Sequence, residues 1–250
     1  LSRRISSSGA PVLFAICVAV FVLAERAGDT TTIDTLLEWG AVWRGRVWLG
    51  DWWRLVSACF LHIGVGHLVW NLVAGFGWAS QAERRLGPAR FLGLYLASGV
   101  VGAAASVLGH SVVSAGASGA LFGCLGAQFA FERADRGSWS EVIDHRVKDL
   151  MMIVVWFGIG ALGTFDNFAH AGGLLVGLSW GWWFVTPSRR ALALAAAPLA
   201  LIPLSVAPTF TSNDFNRPDR IFEAETNGRW TEALELIDEQ TSSTGPGPYL

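Results

Sequence analysis

Gly116-Ala117-Ser118-Gly119 opens one apolar stretch of this chain, and His170 lies inside another. A serine hydroxyl is a weak nucleophile until a base takes its proton, and a neutral imidazole does that near neutral pH. Ser118 and His170 are therefore a candidate nucleophile and general base for acyl transfer, the chemistry of peptide-bond hydrolysis. At a helix start, Ser118 would have free amides and the positive end of the helix dipole beside it, where an oxyanion develops. Gly116 and Gly119 would let a substrate carbonyl approach the backbone. Taken singly, each has a simpler reading: Ser118 as a helix N-cap, His170 as a structural histidine bonded to a carbonyl.

His62, His67 and Asn71 form a second polar group. His67 and Asn71 are four residues apart and share a helical face, so both can present donors to one place. Beside the serine they would complete an oxyanion hole; otherwise they make interhelical hydrogen bonds. A zinc site is the weaker reading, because no H-E-x-x-H pattern occurs and no acidic residue stands at ligand spacing. No metal or organic cofactor is expected.

The elements that must hold these groups are apolar. Hydrophobic residues make up 52% of the 250, charged residues 15%, and the mean hydropathy is +0.42, which together describe a polytopic membrane protein. The net charge of −2 offers no basic field for nucleic acid. Cys17, Cys59 and Cys124 lie in or beside apolar runs without CxxC spacing and read as small inert hydrophobes. Apolar runs near 10–24, 64–81, 90–108, 118–132, 149–163, 168–186 and 190–207 are candidate spans. Several are short or Gly-rich, which suits helices packed inside a bundle. The first run is read as an uncleaved anchor in preference to a signal-peptide core. Pro198 and Pro203 interrupt the last.

Two of these runs carry matching small-residue stripes. Gly119, Gly123, Gly126 and Ala130 line one face of the helix that Ser118 opens, and Gly173, Gly177 and Gly181 follow His170 at three, seven and eleven residues. Small-xxx-small faces let membrane helices approach closely, which would bring Ser118 and His170 within hydrogen-bond reach. A histidine at membrane depth calls for such a partner. Asp166 could orient the ring as in a triad, but Asp166 or Asn167 as N-cap of the His170 helix is the simpler expectation.

Arginine and lysine orient the bundle. Arg3/Arg4, Arg84/Arg85/Arg90, Arg133/Arg136/Arg146/Lys148 and Arg189/Arg190 fall on one side, which is expected to be cytoplasmic, together with the N-terminal tail 1–9. The loops around Gly109 to Ala115 and Thr164 to Asn167 carry none. The exception is the first loop, 25–63, with Arg26, Arg44, Arg46 and Arg54. Trp39, Trp43, Trp48, Trp52 and Trp53 also crowd it, so it is expected to lie partly in the headgroup zone, the alternative being a surface loop with its own aromatic core. The expected organisation is a membrane core over 10–188, a seventh span over 189–207 and an acidic tail over 208–250, within which Arg220 to Gln240 reads as one or two amphipathic helices. With Lys148 the sole lysine and Ala, Gly, Arg and Trp abundant, the composition points to a GC-rich genome and a bacterial plasma membrane.

Trp53-Arg54-Leu55, Phe60-Leu61-His62, His67-x-x-x-Asn71, Glu83-x-Arg85-Leu86-Gly87, Gly116-Ala117-Ser118-Gly119 and Ala169-His170-x-x-Gly173-x-x-x-Gly177 occur in this order. Over about Asp51 to Gly181 the chain resembles the rhomboid family of intramembrane serine proteases. The resemblance implies an all-α, six-helix membrane core, a Ser118 nucleophile, His170 as base without an acidic third member, and an oxyanion hole from His67, Asn71 and the Ser118 amide. It implies transmembrane protein substrates entering from the bilayer beside the fifth helix, with Trp156 and Phe157 as gate. Phe122 occupies the position of an aromatic that packs on the histidine, and Glu83 and Arg85 are expected to pair at the cytoplasmic end. The alternative is a non-proteolytic rhomboid-like protein that binds membrane clients, although such relatives lack the serine or histidine. A transporter would need more ionisable groups at the midplane than His67 beside Asn71.

Overall fold

A computed structural model describes residues 8–48, 50–109, 112–162, 165–206 and Ala224. The expected amphipathic helices at Arg220 to Gln240 and the rest of the tail, Ala224 apart, lie outside the described residues. Those described are helical, with one isolated antiparallel bridge, Val42 to Ser114, and no other strand pairing. The long helices are α1 (Gly9–Ala27), α5 (Gly64–Leu86), α6 (Pro88–Gly109), α7 (Ser118–Arg136), α9 (Val147–Gly160) and α10 (Asn167–Val185). Shorter pieces are α2 (Ile33–Glu38), α3 (Arg44–Trp48), α4 (Arg54–Ser57), α8 (Trp139–His145), α11 (Arg189–Ala196) and α12 (Leu201–Val206).

The punctuation follows local chemistry. Gly87 ends α5 at φ +79° with its amide on the Glu83 carbonyl, a conformation that costs glycine little, and Pro88 then starts α6, where a missing N–H does no harm. Asp166 caps α10, its carboxylate accepting from the Ala169 amide at 2.9 Å.

By length and hydropathy alone, α1, α6 and the run Arg189–Val206 could each cross a membrane, and the bent pair Arg54–Phe60 with Gly64–Leu86 could form a fourth crossing. The remaining long helices fall short because glycine, tryptophan and polar residues lower their hydropathy or because, like the 14-residue α9, they are short. Burial accounts for this in α7: every residue from Gly119 to Phe131 is buried, so α7 is the central post of the bundle and meets protein on all sides. Helices α5, α6 and α10 surround it.

The proline-interrupted run resolves into α11, a 3-10 turn over Ala197–Ala200 and α12. Carbonyls along it find donors elsewhere: the Trp180 indole donates to Ala195 O and the Trp48 indole to Ser205 O, each at 2.9 Å. Such substitutes make a broken helix tolerable where water is scarce.

Two arginines of the first loop, Arg44 and Arg54, are also explained by carbonyls. Arg44 Nε donates to Val107 O at 2.7 Å and its Nη2 to Leu108 O, two of the last carbonyls of α6, where the dipole favours a cation. Arg54 Nη1 donates to Leu37 O and Ala41 O, and Nε to Asp51. These two side chains are structural clasps of the loop. Trp43 is enclosed, whereas Trp52 and Trp53 face outward, Arg54 lying over the Trp53 ring.

The expected Glu83–Arg85 ion pair does not form. Glu83 is fully buried, and its carboxylate accepts from the amides of Gly9 and Ala10 at 2.7 and 3.0 Å, capping α1 from across the bundle. Arg85, on the opposite side of α5, pairs with Asp135 of α7. The orphan amides and dipole of a helix start hold a buried carboxylate better than one exposed guanidinium does. Glu83→Ala is therefore expected to destabilise the protein by about 2–4 kcal/mol, from one buried and one part-buried amide left unpaired, whereas Arg85→Ala, losing an exposed pair, should cost at most about 1 kcal/mol. Thermal denaturation of both variants in detergent checks this, and equal losses would restore the ion-pair account.

Candidate active site

The site is built on the contact between α7 and α10. An ideal Cβ on Gly173 would overlap the Gly119 carbonyl, one on Gly177 the Gly123 carbonyl, and one on Gly181 would lie 2.8 Å from Ala127 Cα. The two backbones therefore touch along the whole stripe with no side chain between them. Helix α6 closes on the same seam, because a Cβ on Gly102 would stand 2.7 Å from Ala169 O and one on Gly172 3.0 Å from Val101 O.

This approach brings Ser118 Oγ and His170 Nε2 to 2.9 Å. Ser118 is the first residue of α7 and makes no side-chain cap bond, so the N-cap reading does not apply. For Ser118 to donate to Nε2, the neutral imidazole carries its proton on Nδ1. That nitrogen makes no hydrogen bond, and the Asp166 carboxylate caps α10 as described. Ser118 and His170 are thus in direct hydrogen-bond contact.

Aromatic rings fix the imidazole plane. His170 is 1% exposed. Phe122, one turn after Ser118, stacks on it with centroids 4.4 Å apart and 19° between planes. Trp156 and Phe157 of α9 approach it edge-on at 5.5 and 6.1 Å. Trp156 is the one buried residue of α9, with Leu150, Met152, Ile153 and Phe157 packed partly buried against the same core.

The pair opens into a cavity of about 710 Å³ lined by Ser118, His170, His67, the extended segment Val112–Gly116 and residues around Asn167. The segment is pinned on one edge by paired backbone bonds between Val42 and Ser114, and by the Gly116 amide on Ala58 O, all at 2.9 Å. Gly116 has φ +144°, and a Cβ there would lie 2.8 Å from His67 Cε1, so this glycine makes room for the His67 ring beside Ser118.

The remaining expected donors fall differently. Asn71 is buried and does not line the cavity; its amide donates to the His67 carbonyl at 2.9 Å on its own helix. His62 is fully buried with its ring 5.4 Å from that of His67 and also lies behind the cavity wall. Gly102, whose absent side chain admits Ala169, was not singled out in the sequence, although Gly99-x-x-Gly102 on α6 is a small-residue signal of the same kind. Asn167, the alternative cap in the sequence, instead ties α10 to α9 through the Phe157 carbonyl at 2.9 Å. Among the described residues no group of three or more His, Cys, Asp or Glu is placed to hold a metal ion.

The family model described as Rhomboid domain matches residues 49–187, more than half of the chain. Rhomboid protease GluP of Bacillus subtilis is 37% identical over 166 residues, which cover 66% of this chain and 32% of that protein. RHOMBOID-like protein 5 of Arabidopsis thaliana is 36% identical over 153 residues, covering 60% and 50%. Rhomboid-type serine protease 2 of Emericella nidulans is 32% identical over 175 residues, covering 67% and 34%. The chain thus spans a third to a half of the length of these relatives.

Gly173→Ala is expected to push α10 off α7 and lengthen the Ser118–His170 contact, because its methyl group meets a backbone carbonyl that cannot rotate away. A loss of about 1–3 kcal/mol in thermal denaturation is anticipated. Unaltered stability would show that the helices do not approach as closely as described.

Proposed function

The chain belongs to the rhomboid family, an all-α group of integral membrane proteins, and we propose that it is an intramembrane serine endopeptidase that cuts transmembrane segments of other proteins. The observation that carries the reading is the 2.9 Å contact between Ser118 Oγ and His170 Nε2 at the start of a buried helix, open to a cavity. The names of its relatives, rhomboid protease and rhomboid-type serine protease, point the same way.

In this mechanism Ser118 Oγ attacks the scissile carbonyl carbon while its proton passes to His170 Nε2. The oxyanion forms beside the first-turn amides of α7, which have no acceptor within the helix, and beside the His67 imidazole. Asn71 lies behind the cavity wall with its amide on the His67 carbonyl, and its second amide proton reaches the oxyanion only when substrate binding turns the side chain toward the site. His170 then protonates the leaving amine, the C–N bond breaks, and an ester joins the substrate's acyl group to Ser118. Water from the outer face attacks that ester with His170 again as base, releasing the new carboxyl end and restoring the hydroxyl. The Phe122 face against the ring favours the transient imidazolium, since an aromatic face attracts a cation.

Burial is why two residues suffice. The ring plane is set by packing, so an acidic partner is not required to orient it. A substrate helix must unwind to present an extended backbone, which favours small or helix-breaking residues at the cut. It enters from the bilayer past α9, with Trp156 and Phe157 as gate. Arginine sidedness supports a cytoplasmic N-terminus, the tryptophans of loop 25–63 support its partial embedding in the membrane, and the composition supports a bacterial plasma membrane.

Purified protein in liposomes is expected to cleave a single-span substrate, and Ser118→Ala and His170→Ala each to lower the rate by at least about a thousandfold with the fold intact. His67→Ala and Asn71→Ala should each cost about a hundredfold in kcat as lost oxyanion donors. A fluorophosphonate probe should label Ser118, and labelling should vanish in His170→Ala. Full cleavage by Ser118→Ala would sink the mechanism and leave the client-binding alternative.

A further inference from the structure

Trp78 on α5 is not part of the dyad, yet it connects the dyad to the foot of α9. Its indole Nε1 donates to Asp149 Oδ1 at 3.0 Å, and Asp149 lies in the first turn of α9. The second oxygen of Asp149 accepts from Arg146 at 2.9 Å. Arg146 also donates to Gln128 at 2.7 Å and Glu132 at 3.1 Å, both on α7. Gln128 closes the circuit, its amide donating to the Trp78 carbonyl at 2.9 Å. With Trp78 and Gln128 both buried, this is a closed polar network in which each bond is held by the next.

The face of Trp78 turned to the bundle axis meets Phe122, with centroids 6.0 Å apart and 59° between planes. Phe122 in turn stacks on His170. A phenylalanine has no polar atom to fix its ring, so its plane is set by whatever packs against it. Trp78, with its indole N–H committed to Asp149, is a neighbour of defined orientation. Helix α9 also touches this stack directly through Trp156 and Phe157.

We propose that Trp78 is a positioning residue: held by Asp149 at the foot of α9, it backs Phe122 and so sets the plane of the His170 imidazole, tying the attitude of α9 to the competence of the dyad. This rests on the Ser118–His170 reading above. The consequence is that a movement of α9 at its foot is felt at the imidazole without displacing either α7 or α10, whose backbones are in contact. Indole and carboxylate act as one unit in this scheme, so removing either should have the effect of removing both.

The test is a cycle on the full chain in liposomes with Trp78→Phe, Asp149→Leu and their combination, plus Trp78→Leu. It reads kcat and KM for a single-span substrate, the rate of fluorophosphonate labelling of Ser118, and the melting midpoint. Trp78→Phe, which keeps a ring but loses the N–H, should lower kcat and the labelling rate about fivefold with KM unchanged. Asp149→Leu should do the same, and the double variant should be no slower than either single one. Trp78→Leu should lose at least tenfold. Labelling at the wild-type rate in Trp78→Phe, or losses that multiply in the double variant, would overturn the proposal. So would slowing that merely tracks a lower melting midpoint. If Trp78→Leu does not fold, the cycle alone decides. Absence of labelling in the wild-type protein would remove the serine-protease reading itself, and this inference with it, whereas a labelled wild type with unchanged variants removes only this one.

Discussion

Everything at the site depends on two helix backbones touching. Because Gly173 and Gly177 of α10 rest on the carbonyls of Gly119 and Gly123 of α7, the distance between those axes is set by hard contact and not by the fit of flexible side chains. A hydrogen bond between residues so far apart in sequence can then be built into the scaffold, with Ser118 and His170 at the ends of the two facing stripes. Lipid offers no hydrophobic drive between helices, so van der Waals contact of this kind is one of the few forces available to hold the pair together.

The same scarcity of water explains where the other polar groups went. Helix ends and proline breaks leave backbone groups that only protein can satisfy. Glu83 reaches across to the start of α1, Arg44 to the end of α6, Arg54 to the carbonyls near Leu37, and Trp180 and Trp48 to the broken final run. None is a surface charge in the ordinary sense. Each closes a helix or loop whose own hydrogen bonding is incomplete, and together they define the frame around the central post, α7.

Within that frame α9 is the exception. It buries Trp156, packs Leu150, Met152, Ile153 and Phe157 partly against the core, and is further tied by Asn167 near its outer end and by the Arg146–Asp149 network at its foot. With most of its residues only partly buried or exposed, α9 is held less firmly than α7, since local stability follows local contact. It also presses two aromatic rings, Trp156 and Phe157, against the histidine.

What the sequence determined was local and periodic. The apolar runs set the helices, the spacing of glycines marked the faces of α7 and α10 that meet, and the cap of α10 was narrowed to Asp166 or Asn167, of which Asp166 takes the Ala169 amide. Ser118, His170 and Phe122 could be singled out because polar or aromatic residues at fixed offsets in small-residue helices have few uses. The tertiary structure decided which long-range partners each group takes. Periodicity puts His67 and Asn71 on one face, but only packing makes His67 line the cavity while Asn71 lies behind it. The neighbours Glu83 and Arg85 suggested each other, yet they point to opposite sides of α5, one to the start of α1 and one to α7. A helical offset specifies direction around an axis, and the identity of whatever stands in that direction is a property of the assembled bundle.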